Sequence, residues 1–228
     1  MKNTNLSGRL FSASEFVRQD AVFADVGTDH AYLPIFLLET KKIKRAVCSD
    51  INKGPLESAK RNASERGVCD KISFYLTDGA AALSGEGITD MAICGMGGEL
   101  IADIIDAAPF LKSKDISLIL QPMTKPAYLR RYLYSKGFEI KDEKYVTDTG
   151  KHYVTMLVFY TGGTHATSDT FSELGTLVEK ESLNESERSY LEEKLRATER
   201  AVSGKKRGGE DCSYEESIYH IITDILKK

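Results

Sequence analysis

Hydrophobic positions follow two alternating patterns along the first 160 residues. Short apolar runs, which predict buried strands, are each followed by a stretch with apolar residues at helical spacing. This alternation is typical of βα units and predicts a parallel sheet covered by helices, an α/β fold. The predicted strands are residues 21–26, 45–49, 72–76, 91–94 and 116–120, and the predicted helices are residues 6–18, 31–40, 55–66, 99–107 and 126–136.

The pattern changes after Gly137. Two strand-like stretches, residues 138–146 and 153–160, flank the short connection Asp148-Thr149-Gly150 and predict an antiparallel hairpin at one edge of the sheet. Residues 161–164 are Thr and Gly only, which predicts a boundary between an α/β domain (residues 1–162) and a small helical domain (residues 163–228). In the second domain, helical spacing over residues 171–202 and 214–226 predicts a helical hairpin joined by a polar loop, residues 203–213.

Composition narrows the function classes. Apolar residues make up 41% of the chain, residues 1–8 lack a signal-peptide pattern, and no stretch reaches the roughly 18 apolar residues of a membrane span. We therefore expect a cytoplasmic protein with no membrane partner.

The four cysteines are scattered without metal-ligand spacing, so we expect reduced thiols and no metal. The net charge of −3 counts mildly against nucleic acid, which would need a local basic face.

Three predicted strands end in or just before aspartates: Asp25, Asp50 and Asp78. Ligands of open α/β sheets bind outside the carboxyl ends of the strands, so these acids are candidates for a binding site. Asp29 stands two residues after Gly27, where a dinucleotide-binding turn has glycine, and this disfavours a phosphate ligand and a dehydrogenase. S-adenosylmethionine carries a sulfonium and an ammonium but no phosphate, so carboxylates favour it as the cofactor.

Each acid has a natural role toward that cofactor. Asp25 is predicted to bind the methionine ammonium while the Gly27 backbone passes close by, and Asp50 is predicted to accept hydrogen bonds from both ribose hydroxyls. Asp78 is predicted to bind the adenine amine, with Gly79 keeping the site open. The alternative is that aspartates at strand ends cap helices or stabilise turns.

The motifs with their flanks resemble the bacterial tRNA (adenine-22-N1)-methyltransferase family, over about residues 6–160. The motifs that carry the resemblance are Asp25-Val26-Gly27-Thr28-Asp29-His30-Ala31-Tyr32-Leu33-Pro34, Asn52-Lys53-Gly54-Pro55-Leu56, Ile93-Cys94-Gly95-Met96-Gly97-Gly98 and Leu120-Gln121-Pro122. The resemblance implies a Rossmann-like class I methyltransferase sheet, mostly parallel with an antiparallel edge hairpin, and a coiled-coil-like C-terminal domain. It also implies methylation of N1 of adenine in the D arm of tRNA.

The resemblance extends the candidate site. Cofactor-binding candidates are Asp25, Gly27, His30, Asp50, Ile51, Asp78, Gly79, Gly95 and Met96, and catalytic candidates are Asp29, Tyr32 and Gln121. Asp29 would stabilise developing positive charge, Tyr32 would stack on the base, and Gln121 would read the adenine edge. The alternatives are helix capping for Asp29, packing in the turn for His30 and Tyr32, and a backbone hydrogen bond for Gln121.

Two positions depart from the family pattern. Ser49-Asp50 stands where a Gly-Glu pair is expected, which keeps the carboxylate but shortens it. Met123 stands where a polar residue is expected, which puts a polar contact to the target base in doubt.

Direct methyl transfer to N1 requires neither a metal nor a covalent intermediate, because N1 has a lone pair; the base is expected to flip out of its helix. An Asn/Asp-Pro-Pro-aromatic motif is absent after the fourth strand, which disfavours N6 chemistry.

The alternative functions are a methyltransferase of another RNA or a small molecule, or a non-catalytic interaction protein. We expect a monomer, with a dimer left open. The residues expected to contact tRNA phosphates are Arg196, Arg200, Lys205, Lys206 and Arg207.

Overall fold

The computed structural model of the chain describes residues 6–228. Residues 1–5, which begin the predicted α/β domain and the stretch considered for a signal peptide, lie outside the described residues. The strands are β1 (Ala21–Val26), β2 (Ile43–Asp50), β3 (Ile72–Leu76), β4 (Asp90–Gly97), β5 (Ser117–Thr124), β6 (Phe138–Asp148) and β7 (Lys151–Tyr160). The helices are α1 (Gly8–Phe16), α2 (Tyr32–Glu39), α3 (Lys53–Glu65), α4 (Gly98–Asp106), α5 (Pro126–Ser135), α6 (Asp169–Leu174), α7 (Glu185–Gly208) and α8 (Ser213–Leu226).

All seven strands belong to one sheet in the order β3-β2-β1-β4-β5-β7-β6. Strands β1 to β5 are parallel, β7 is antiparallel to β5, and β6 is antiparallel to β7. The predicted α/β fold with a mostly parallel sheet is confirmed. Strand β1 pairs with β2 on one side and β4 on the other, so the strand order reverses at β1, and such a reversal opens a crevice for a ligand at the carboxyl ends of the strands.

The two faces of the sheet bury separate cores, as the alternation of side chains along a strand requires. In β1, Ala21 and Phe23 belong to a core shared with α1, α2 and α3. Ala24 and Val26 point to the other face, into a core shared with α4 and α5. That second core also contains Leu191 from α7. The C-terminal helices therefore pack into the same core as the sheet, and the predicted boundary at residue 162 stays a prediction.

The edge hairpin is confirmed, and both of its strands are longer than predicted. Strands β6 and β7 are joined by Thr149 and Gly150, whose φ angles are 50° and 75°. Two consecutive residues with positive φ form the tight turn whose twist matches that of an antiparallel pair. The hairpin packs against α1, where the Ser12 and Thr155 hydroxyls lie 2.7 Å apart.

The C-terminal helices differ from the prediction in two places. The prediction of a single helix over residues 171–202 is wrong, because α6 is short and a new helix, α7, begins after Asn184. The side chains of Asn184 and Glu187 form a reciprocal capping box at that start. The predicted loop over residues 203–213 is also wrong, because α7 continues to Gly208 and ends at Gly209 with a φ of 70°. Basic residues in the last turn interact favourably with the helix dipole.

Helices α7 and α8 form an antiparallel pair. Near the turn, Lys205 and Lys206 form ion pairs with Glu215 and Glu216 at 2.8 and 2.6 Å. At the opposite end, Arg188 donates to the Leu226 carbonyl at 2.9 Å. The predicted helical hairpin is thus present with a shorter connection. Among the helices of residues 6–228, none is long and apolar enough to cross a membrane.

Candidate active site

Two adjoining cavities open at the carboxyl ends of β1, β2 and β4, where the strand order reverses. Gly27, Cys94 and Gly95 line both, and the volumes are about 230 and 330 Å³. An adjoining pair of this size lies within the range of roughly 300–1,000 Å³ that small-molecule sites occupy. We call the first the Asp25 cavity, lined by Arg9, Asp25, Thr28, Asp29, His30 and Tyr32 among others. The second is the Asp50 cavity, lined by Asp50, Ile51, Asp78, Gly79, Met96 and Leu100 among others.

The turn after β1 separates the two cavities. Gly27 has a φ of 71°, a conformation that favours glycine, and a Cβ there would clash with Cε of Met96. Because the Met96 side chain is flexible, the backbone conformation is the firmer requirement for glycine. The Gly27 and Thr28 amides donate to the Ser49 carbonyl at 2.8 and 3.0 Å, which fixes the turn against β2.

Asp25 is the buried acid of the site. Its carboxylate accepts a hydrogen bond from the Thr28 hydroxyl at 2.7 Å. Burial raises the pKa of Asp25 to about 6, the Thr28 hydrogen bond opposes that rise, and the negative charge of Asp50 adds to it. None of the groups that shift this pKa is a cation, so the ionised carboxylate is suited to bind a cationic ligand group.

Asp50 holds its carboxylate in a fixed orientation at the end of β2. One oxygen accepts from the Asn52 amide at 2.8 Å and the other from the Asp29 amide at 3.3 Å. Each carboxylate oxygen can accept more than one hydrogen bond, so both remain able to bind a ligand hydroxyl. Asp78 is exposed on the same cavity, and Ile51 adds an exposed apolar side chain beside it.

Asp29, His30 and Tyr32 lie at the mouth of the Asp25 cavity. Asp29 has a φ of 51°, and its carboxylate lies 3.5 Å from Nε2 of His30. The His30 and Tyr32 rings are 5.2 Å apart, and Tyr32 is 47% exposed. The N-cap of α2 is Ala31, with no side chain bonded to the helix amides, so helix capping does not explain Asp29.

Gln121 lies beneath the cavities and lines neither of them. Its side chain is fully buried, and its amide oxygen accepts from the Gly95 amide at 3.1 Å and from Nη1 of Arg9 at 3.4 Å. Its amide nitrogen donates to the Pro122 carbonyl at 3.1 Å. These contacts correspond to the backbone-bonding alternative. The structure gives Gln121 a supporting position at Gly95, and its contact with an adenine edge stays a prediction.

The other predicted site residues each line at least one of the two cavities. The sequence reasoning missed several lining residues, among them Arg9 and Leu10 from α1, Thr28, and Leu100 and Ile104 from α4. Thr28 could have been found from its position three residues after Asp25, whereas Arg9 carries no signal in its spacing. Across residues 6–228, no three His, Cys, Asp or Glu side chains come together in a way that could hold a metal ion.

Comparison with known proteins places the chain among methyltransferases. A family model described as a methyltransferase domain matches residues 6–156. The tRNA (adenine(22)-N(1))-methyltransferase of Bacillus subtilis (strain 168) is 35% identical over 172 residues, which cover 75% of this chain and 72% of that protein.

Solved structures agree with this match. A Streptococcus pneumoniae protein in complex with S-adenosyl-L-methionine superposes with a TM-score of 0.83 at 31% identity, over 97% of this chain and 100% of that chain. The M. capricolum protein TrmK, in complex with S-adenosyl-homocysteine, superposes with a TM-score of 0.76 at 25% identity, over 97% of this chain and 96% of that chain. With one relative matched at this identity and coverage, the chain belongs to the tRNA (adenine(22)-N(1))-methyltransferase family.

Proposed function

We propose that this chain transfers the methyl group of S-adenosylmethionine to N1 of adenine 22 in tRNA. The observation that carries the proposal is the pair of joined cavities, each with a carboxylate at a strand end and neither with a phosphate-binding glycine turn. The B. subtilis relative is named for this reaction, and the S. pneumoniae structure contains this cofactor.

The residues fit the cofactor in a definite orientation. Asp50 would accept the ribose hydroxyls, and Asp78 with Ile51 would receive the adenine in the Asp50 cavity. Asp25 would bind the methionine ammonium in the neighbouring cavity, past the side-chain-free backbone of Gly27. Bound in this way, the cofactor supplies a methyl group activated by its sulfonium.

The remaining task of the protein is to position the target base. Tyr32 is an exposed aromatic ring at the mouth of the Asp25 cavity and would stack on the adenine. Asp29 lies beside it, and its carboxylate would favour the positive charge that develops on the methylated ring. No residue needs to remove a proton before transfer, because N1 already has a lone pair. Gln121 would act indirectly, by holding Gly95 in place.

The proposed reaction is tested by supplying unmodified tRNA and methyl-labelled cofactor to the purified protein. We expect label in N1-methyladenosine at position 22, identified by mass spectrometry of nuclease fragments, and none in the same tRNA with guanine at position 22. Label on N6, or in neither tRNA, would contradict the proposal.

The binding of cofactor product should depend on pH through Asp25. Its pKa is near 6, so at pH 5 only about a tenth of Asp25 is ionised, and S-adenosylhomocysteine should bind about tenfold more weakly than at pH 7.5. Calorimetric titration of wild type and Asp25→Asn measures this, and the variant should bind weakly at both pH values. An unchanged pH dependence in Asp25→Asn would contradict the role of Asp25.

The same substitution should stabilise the protein without ligand. The folded-state pKa of Asp25 is above that of the unfolded chain, so folding takes up a proton between about pH 4 and 6, and stability from this group is lost as the pH rises through that window. Above pH 6 the buried charge of Asp25 destabilises the folded protein. Asp25→Asn is therefore expected to raise the melting temperature at pH 8 and to have little effect at pH 4.

The tRNA would extend from the cavities to α7. Arg196 and Arg200 are exposed on this helix, whereas Lys205 and Lys206 are already paired with glutamates. Arg196→Gln with Arg200→Gln should weaken tRNA binding and lower the slope of log affinity against log salt by about 2. Affinity for S-adenosylhomocysteine should not change.

Lys112→Gln with Lys114→Gln is the matched control for that experiment. These two exposed lysines precede the amino end of β5, whereas the cavities lie at the carboxyl ends of the parallel strands, so the control removes the same charge from a surface away from the site. Filter binding over a salt series measures both variants. Equal losses of tRNA affinity in the two would reject a specific role for α7.

A further inference from the structure

Arg9 brings a positive charge from α1 into the Asp25 cavity. Its guanidinium lies 3.4 Å from the side-chain oxygen of Gln121, a neutral acceptor, and that is the only hydrogen-bond partner of the guanidinium within residues 6–228. Its backbone amide donates to the Asp148 carboxylate at 3.3 Å, which holds the start of α1 against the hairpin turn. The guanidinium therefore keeps donors available toward the cavity.

The backbone amides of this site are largely occupied by the protein. In many nucleotide-binding folds, amides of the turn after β1 bind the anionic groups of the ligand. Here the amides of Gly27 and Thr28 donate to Ser49, and that of Ala31 donates to Thr28. The Asp29 amide donates to Asp50 and the Gly95 amide to Gln121. These five amides are consequently not available to a negatively charged ligand group.

The charged residues that line the cavities also indicate how an anionic ligand group could be bound. Among the described residues that line either cavity, Arg9 is the only lysine or arginine, whereas Asp25 and Asp29 line the Asp25 cavity with it. A carboxylate that enters a cavity lined by two acids is repelled unless a cation faces it. The methionine part of the proposed cofactor carries both an ammonium and a carboxylate, so a cavity that offers Asp25 and Arg9 matches both charges.

We infer that Arg9 binds the carboxylate of the methionine part of S-adenosylmethionine, and of the homocysteine part of the product. The inference rests on the proposed function, and it adds α1 to the cofactor site. Gly95 is part of this arrangement, because a Cβ at that position would lie 3.3 Å from Nη1 of Arg9. A side chain there would crowd the guanidinium.

The test compares two ligands that differ only in the carboxylate: S-adenosylhomocysteine and its decarboxylated analogue. Calorimetry gives the ratio of their affinities for wild type, Arg9→Met, Arg9→Lys and Arg61→Met. Arg9→Met should lower the ratio that favours S-adenosylhomocysteine by about 10- to 100-fold, because a charge-assisted hydrogen bond is lost. Arg9→Lys keeps the charge and should give an intermediate ratio.

Arg61→Met is the matched control, because Arg61 is exposed on α3 and, among the residues that the structure describes, donates only to Ser58 of the same helix. Its ratio should equal that of wild type. An unchanged ratio in Arg9→Met, with S-adenosylhomocysteine still bound, overturns the inference alone. A loss of tRNA affinity at an unchanged ratio also overturns it, since Arg9 would then bind a phosphate. Failure of wild type to bind S-adenosylhomocysteine rejects the proposed function itself.

Discussion

Replacement of Asp50 with alanine is expected to weaken S-adenosylhomocysteine binding by about 100-fold or more. The proposed contacts are two hydrogen bonds from the ribose hydroxyls to one carboxylate, and a hydrogen bond to a charged group contributes roughly 1.5–3 kcal/mol. The carboxylate is already oriented by the amides of Asn52 and Asp29, so little freedom is lost when a ligand binds. Isothermal titration calorimetry at pH 7.5 measures the change.

Two further substitutions separate this role from a general effect of charge. Asp78→Ala should weaken S-adenosylhomocysteine binding less, by about tenfold, because Asp78 is exposed on the same cavity. Asp70→Ala removes an exposed acid after α3 that lines neither cavity, and it should leave affinity unchanged. If Asp50→Ala bound S-adenosylhomocysteine as tightly as Asp70→Ala, the assignment of the Asp50 cavity to the ribose would be wrong.

Replacement of Glu143 with alanine is expected to destabilise the fold by about 3–5 kcal/mol, because the buried Arg130 guanidinium would lose its counter-charge. Both side chains are fully buried and lie 2.8 Å apart. Arg130 also donates to the Ser172 carbonyl, and Glu143 accepts from the Tyr145 hydroxyl and the Thr176 amide. For a chain of this size, the loss corresponds to a melting temperature lower by roughly 6–20 °C.

The double variant Arg130→Met, Glu143→Leu distinguishes the loss of a partner from the loss of the pair. It removes both charges together and should recover most of the stability lost by Glu143→Ala. Lys44→Ala is the control, since Lys44 pairs with Asp20 on the surface, where such a pair contributes less than about 1 kcal/mol. A melting temperature for Glu143→Ala equal to that of Lys44→Ala would contradict the prediction.

The sheet could be predicted from the sequence because its signals are local. Apolar runs of strand length, each followed by helical spacing, indicate β1 to β5 and their helices, and Thr149-Gly150 marks the hairpin turn. The C-terminal helices were predicted less well for two different reasons. Asn184 and Glu187 form a local capping signal that helical spacing across it concealed. At the end of α7, the polar composition of residues 203–213 indicated a loop and concealed the local helix-end signal of Gly209. The ion pair of Lys205 with Glu215 in α8 also holds this last turn, and no local pattern shows that contact.

The candidate site, like the fold, could be predicted only in part from the sequence. Acids at strand ends can be identified from the sequence, because the end of each strand is set by its own residues, and Asp25, Asp50 and Asp78 all line the cavities. The positions of Gln121 and Arg9 depend on contacts between distant segments. Arg9 reaches the cavity because the hairpin holds α1 in place, and Gln121 is covered by that same helix.

The shared core of the sheet and the C-terminal helices has a consequence for how a tRNA is chosen. Leu191 of α7 is buried in one cluster with Leu129 of α5, and the buried Arg130 is bonded to the segment that leads to α7. Without a freely jointed connection, the spacing between the arginines of α7 and the methyl-transfer site cannot adjust to the substrate. Under the proposed function, an RNA could reach both the cavities and the arginines of α7 only if the distance from its target adenine to its bound phosphates matched that fixed spacing.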